Sequence, residues 1–97
     1  MSDAPPAITL ASHLRRFDQV LAQEVGSEAV LLNLASEQYF GLNPVGVRIW
    51  ALLPECADLG AIHLRLCEEY DADPGQIETD LLALASSLLE AGLVVRA

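Results

Sequence analysis

Residues 38–53 read Gln38-Tyr39-Phe40-Gly41-Leu42-Asn43-Pro44-Val45-Gly46-Val47-Arg48-Ile49-Trp50-Ala51-Leu52-Leu53, and the apolar repeat changes in the middle of them. Up to Leu42 the period is two. Phe40 and Leu42 fall on one side of an extended chain, Tyr39 and Gly41 on the other. Beyond it the period is 3.6. Val45, Ile49, Leu52 and Leu53 line one helical face, with Trp50 on its flank. Asn43-Pro44 marks the switch. An Asn side chain can accept from a free N–H of the first turn, and Pro at the first helical position has no N–H to lose. Pro54 ends this helix.

Upstream, the signals are those of strands. Asp18 to Val25 mixes apolar and polar residues without a helical stripe, and Gly26-Ser27 is a turn signal. In the apolar run that follows, Val30, Leu32 and Leu34 share a face. Ala35-Ser36-Glu37 is the next turn. Three short strands joined by tight turns make an antiparallel meander, with Gln38–Leu42 as the third strand and an edge unless something covers it. Residues 1–16 read as an irregular lead-in that opens on two prolines and closes on a solvated Arg15-Arg16. Residues 17–97 read as the folded domain.

Downstream, Asp58 starts a second helix with Leu59, Ile62, Leu66 and Tyr70 at helical spacing and Glu68-Glu69 outside. The break comes at Asp71-Ala72. Asp73-Pro74-Gly75-Gln76 starts a third helix, with Asp73 as N-cap and Gln76 placed to reach back as its capping-box partner. That helix runs to Ala91, and Gly92 supplies the left-handed position after it. Leu93-Val94-Val95 is a short extended tail. Strands followed by helices indicate an α+β domain, here a winged-helix-turn-helix-like one with a three-stranded antiparallel sheet followed by three helices.

The 97 residues carry a formal net charge of −9, yet 53% are hydrophobic and the mean hydropathy is +0.36. So apolar a chain of this length folds as one domain rather than staying disordered. The acidity argues against nucleic acid and against an anionic membrane, since both call for clustered Lys and Arg. The third helix carries Glu78, Asp80 and Glu90 and no basic residue, the opposite of a DNA-reading helix. No apolar run approaches the ~20 residues that span a bilayer, and the N-terminus lacks the basic-then-apolar pattern of a signal peptide. The expected location is cytoplasmic. Cys56 and Cys67 read as small core residues. His63 and Cys67 share a helix face, but two ligands do not make a metal site. No nucleophile, phosphate-loop or dinucleotide motif is present. The expectation is a protein that is not an enzyme and uses no cofactor and no metal.

The apolar arc of the third helix is wide. Leu84, Ile77, Leu88 and Leu81 form a core stripe, and Ala85, Leu89 and Leu82 extend it to about 160 degrees, against little more than 100 for a surface helix. Either the fold flanks this helix on two sides, or one flank lines a groove. An open strand beside an apolar helix flank is a peptide-binding geometry, in which the strand edge supplies backbone hydrogen bonds and the helix supplies pockets. The N-terminal segment or a dimer mate could equally occupy that edge.

The order Val30-Leu31-Leu32-Asn33-Leu34, then Tyr39-Phe40-Gly41-Leu42-Asn43, then Val45 to Leu53 with its Ile49-Trp50 pair, resembles the PqqD family. So do Asp80-Leu81, Leu84, Leu88 and the closing Gly92-Leu93-Val94. The likeness covers roughly residues 18–95. It implies a RiPP recognition element, which binds the leader peptide of a ribosomally synthesised precursor as an added strand on the third strand beside the third helix. The length and the Ile49-Trp50 pair are most similar to the stand-alone B1 proteins of lasso-peptide biosynthesis. That resemblance implies a leader with a Tyr-x-x-Pro motif, and as further partners a B2-type leader peptidase and a cyclase. It carries over to Gln38, Tyr39, Phe40, Gly41 and Leu42 on the strand and to Leu81, Leu82, Ala85 and Leu89 as helix wall, with Glu78 at the rim. Two other expectations stand beside it: a PqqD-type chaperone presenting precursor to a radical SAM enzyme, and a dimeric structural adaptor that uses the same edge. Monomer and dimer both remain open at this point.

Overall fold

The computed structural model describes residues 7–97. The elements run β1 (Leu14–Arg16), β2 (Val20–Val25), β3 (Glu28–Asn33), β4 (Gln38–Leu42), α1 (Pro44–Leu52), α2 (Leu59–Glu69), α3 (Pro74–Glu90) and β5 (Val94–Arg96). The three-stranded antiparallel meander is β2-β3-β4, with β3 in the centre. The strand read as third is thus β4, because a short strand precedes the meander. Three helices follow, and the fold is the expected α+β, winged-helix-turn-helix-like one.

The lead-in differs from its irregular reading. The first six residues lie outside the described ones. Within the rest, β1 pairs antiparallel with β5, Leu14 opposite Arg96. The carbonyls of Leu10 and Ser12 accept from Gly60 and Leu59 at the start of α2. The segment therefore satisfies two backbone donors that a helix start leaves open. Arg16 is not simply solvated either. Its guanidinium donates to the Trp50 carbonyl in the last turn of α1 and lies 4.8 Å from the centre of the Trp50 ring. A cation there suits both the carbonyl end of the helix and the face of the indole. Partial burial lowers the pKa of Arg16 from its usual value.

All three helices begin as the sequence indicates. Asn43 Oδ1 accepts from Gly46 N at 2.8 Å, Asp58 Oδ1 from Ala61 N at 2.9 Å, and Asp73 Oδ2 from Gln76 N at 3.0 Å. The capping box does not close. The Gln76 side chain points forward and donates to Asp80 Oδ1 at 2.9 Å.

Leu31, Leu52, Leu59, Ile62, Leu66, Leu81, Leu88, Leu93 and Val94 form the fully buried centre. Each is worth about 1.5–3 kcal/mol of burial, before the entropy of ordering it. In β3 the inward residues are Ala29, Leu31 and Asn33. Val30, Leu32 and Leu34 do share a face, and it is the outer one. Asn33 is the buried polar side chain of the described core, at 5% exposure. Its Oδ1 accepts from Ala35 N and Ser36 N, folding the β3–β4 turn. Its Nδ2 donates to the carbonyls of Ala91 and Gly92 at 3.1 and 3.2 Å, at the C-terminal end of α3. Gly92 has φ +73°, and a Cβ there would stand 3.1 Å from Asn33 Nδ2. Only glycine combines that backbone with that approach.

Arg48 of α1 clamps Glu69 of α2 through two hydrogen bonds of 2.7 and 2.6 Å. Those bonds, aided by the positive charge, hold the Glu69 carboxyl below the usual carboxylate range.

Two outcomes follow from this packing. Asn33→Ala strands four backbone partners and is expected to lower unfolding free energy by about 2–3 kcal/mol in chemical denaturation. For the Arg48–Glu69 clamp the native pKa of the acid is lowered, so its stabilisation is present above the unfolded pKa and lost as pH falls through the native one. Glu69→Gln should therefore melt below the wild type at pH 7, and the gap should close below about pH 4; thermal melts across that range measure it.

Candidate functional site

The free edge of β4 faces an open groove of about 560 Å³. One wall is Phe40, Gly41 and Leu42. The end wall is the start of α1, at Asn43, Val45, Gly46 and Ile49. The third wall is α3, at Asp80, Ala83 and Leu84. Val45, Ile49 and Asp80 also border a smaller apolar notch of about 150 Å³ among the three helices, floored by Leu66, Ile77 and Leu81 and closed by Tyr70. The strand-to-helix junction creates this arrangement. Asn43 and Pro44 begin α1 directly at the end of β4, so the first turn of the helix stands at the end of the strand edge.

β4 sits as expected, with Leu42 buried and Phe40 half-buried on the inner side. Gln38 and Gly41 are exposed, and Tyr39 is 73% exposed on the outer face. The groove beside β4 opens on a different side of α3 from the residues expected as helix wall. Leu81 and Ala85 are in the core, at 0% and 2% exposure. Leu82 and Leu89 are half-buried and packed against the core, and Glu78 is half-buried. The broad apolar arc is consumed by the fold itself, as α3 packs on α2 and β5. What faces β4 is the margin beyond Leu84, where Ala83 and Asp80 are exposed. Val45, Ile49, Asp80, Ala83 and Leu84 thus line the groove, and hydropathy alone did not single them out for it. The available signal was position: Val45 follows the strand-ending Asn-Pro, and Asp80, Ala83 and Leu84 share a helical stripe beside Ile77.

The groove carries an acid and no base. Asp80 is its charged group, held by Gln76, and Asn43 is committed to capping α1. Elsewhere, Cys67 Sγ lies 3.6 Å from His63 Nε2, but that nitrogen is also 2.9 Å from the Pro74 carbonyl. A carbonyl only accepts, so Nε2 carries the proton and is not a base toward the thiol. Among the described residues no group of three His, Cys, Asp or Glu is placed to hold a metal ion, and no helix is long and apolar enough to cross a membrane.

Two solved structures share this architecture. TbiB1 in complex with the TbiA(beta) leader peptide superposes with a TM-score of 0.75 and 36% identity, covering 82% of this chain and 93% of that one. A lasso peptide synthetase B1 complexed with the leader peptide gives 0.71 and 25%, covering 87% and 99%. No curated protein matches the chain. The family model for coenzyme PQQ synthesis protein D matches residues 28–94, from the start of β3 into β5, and the chain belongs to the PqqD family.

Proposed function

We propose that this protein is a non-catalytic RiPP recognition element that binds the leader peptide of a lasso-peptide precursor and hands it to a leader peptidase. The observation that carries the reading is the unpaired edge of β4 running beside a groove whose far wall is α3. An extended peptide added antiparallel to β4 would exchange backbone hydrogen bonds with residues 38–42. Its alternate side chains would enter the groove against Leu84, Ala83 and Val45, and one of them would reach the notch over Leu81. Support comes from the two similar structures, both of which hold leader peptides.

Affinity in this mode comes from the backbone and specificity from the pockets. The site asks nothing of the peptide but an extended conformation and apolar residues at every second position. In a Tyr-x-x-Pro leader the two motif positions are three residues apart, so on an added strand Tyr and Pro face opposite sides; one of them enters the groove, and Pro is already extended. The likeness to a lasso peptide synthetase B1 favours a lasso pathway, with B2-type peptidase and cyclase as later partners, over presentation to a radical SAM enzyme. The acidic charge disfavours the dimeric-adaptor reading, since two copies would bring −9 against −9.

The test is titration of a fluorescent Tyr-x-x-Pro leader peptide. Saturable binding at or below tens of micromolar is expected, with amide shifts along residues 38–42. Ala83→Glu should weaken binding by about tenfold or more while the thermal midpoint stays near that of the wild type. Ala85→Glu should instead unfold the domain, because it buries an unpaired carboxylate in the core. If Ala83→Glu binds as the wild type does, α3 is not the far wall.

A further inference from the structure

The groove has a direction, and its charge sits at one end of it. Asn33 ties the turn before β4 to the carbonyls that end α3. At the opposite end of β4, the start of α1 lies against Asp80, since Val45, Ile49 and Asp80 border both the groove and the notch. Helix α3 therefore runs antiparallel to β4. The lengths agree: the five residues of β4 span about 16 Å, and the helix from Asp80 to Glu90 spans about 15 Å. A peptide added antiparallel to β4 then runs parallel to α3. Its amino-terminal half lies at the Asp80 end.

That end is negative on both faces of the added strand. Directly opposed residues on neighbouring strands point to the same face. A peptide residue opposite Leu42 points inward, toward Val45, Ile49 and Asp80. One opposite Gly41 points outward, over a shallow opening of about 370 Å³ that Glu28 lines. No Lys or Arg lines either opening. Arg48 of α1 is committed to Glu69. Asp80 is also positioned: Gln76 Nε2 donates to its Oδ1 from one turn back, which holds the carboxylate at the groove.

We propose that Asp80 is a specificity-determining residue of the groove, selecting a leader with Lys or Arg at the inward position opposite Leu42. The inference rests on the peptide-addition reading above and adds one charge to the apolar pattern that reading requires. Lys and Arg suit the place by shape as well as by charge. Their methylene stems are apolar and lie over Val45 and Ile49, while the cationic head reaches the carboxylate. An acidic side chain at the same position is repelled by Asp80. The charge also sets register. A slip of the peptide by two residues keeps every inward side chain inward, so the apolar pockets alone tolerate it. The same slip carries the cation about 7 Å along the strand and breaks the pair.

The experiment uses the full chain and a series of fluorescent Tyr-x-x-Pro leader peptides, titrated by anisotropy. In the reference peptide every ionisable side chain outside the motif is replaced by Gln. In the others a single Lys or Glu is moved along it one residue at a time. The expected result is one position, in the amino-terminal half of the bound segment, where Lys binds about threefold tighter than Gln and Glu about threefold weaker. Asp80→Asn should abolish both differences and Asp80→Lys should reverse them, with melting temperatures near that of the wild type, because Asp80 is exposed. The differences should also shrink as salt is raised from about 0.05 to about 0.5 M. A Lys scan that is flat, or that peaks in the carboxyl-terminal half, overturns the proposal. A Lys preference of wild-type size in Asp80→Asn also overturns it and gives the effect to the net charge of the whole chain. A reference peptide that does not bind the wild type removes the peptide-addition reading instead, and that outcome is seen before any charge is introduced.

Discussion

The distance between the β3–β4 hairpin and the third helix is held by the Asn33 side chain. Its carboxamide oxygen closes the hairpin turn, and its nitrogen ties that turn to the carbonyls that end α3. A buried amide is costly unless all its partners are present. Here the four bonds are made only when turn and helix end meet in one geometry. The groove between β4 and α3 inherits its width from that condition. Gly92 belongs to the same device, since a side chain there would press on the Asn33 nitrogen. Other parts of the molecule tolerate rearrangement more easily, because leucine against leucine fits in several ways and a four-bond amide does not.

Much of the fold was legible in the sequence because its signals are local. Three helix starts rest on Asn43, Asp58 and Asp73, whose side chains bond backbone three residues ahead. The meander rests on a period of two and on short turns. The strands β1 and β5 were not legible as a pair. They are three residues each and far apart in the chain, and neither carries enough alternation to announce a partner. The Asn33 clasp was hidden for the same reason: the two carbonyls it ties to the hairpin are nearly sixty residues away.

The site was half legible. The strand edge follows from order alone, since the last strand before the helices has no further strand to pair with. The expected helix wall and the groove lining differ because hydropathy ranks residues by how apolar they are, and the most apolar flank of α3 is spent on the core through Leu81 and Ala85. The groove lies at the margin of the apolar arc, where Leu84 gives way to Ala83 and Asp80. The acidity that first argued against nucleic acid acts here too. It sets like charge around an exposed apolar sheet face and an open edge, which opposes the approach of a second copy.

The pairing of β1 with β5 has an architectural consequence. With Leu14 opposite Arg96, the first strand of the fold and the last lie one strand spacing apart, about 5 Å. A load on either end is therefore borne by that strand pair, and at the N-terminal side by the Leu10 and Ser12 carbonyls on α2, before it reaches the β3–β4 hairpin.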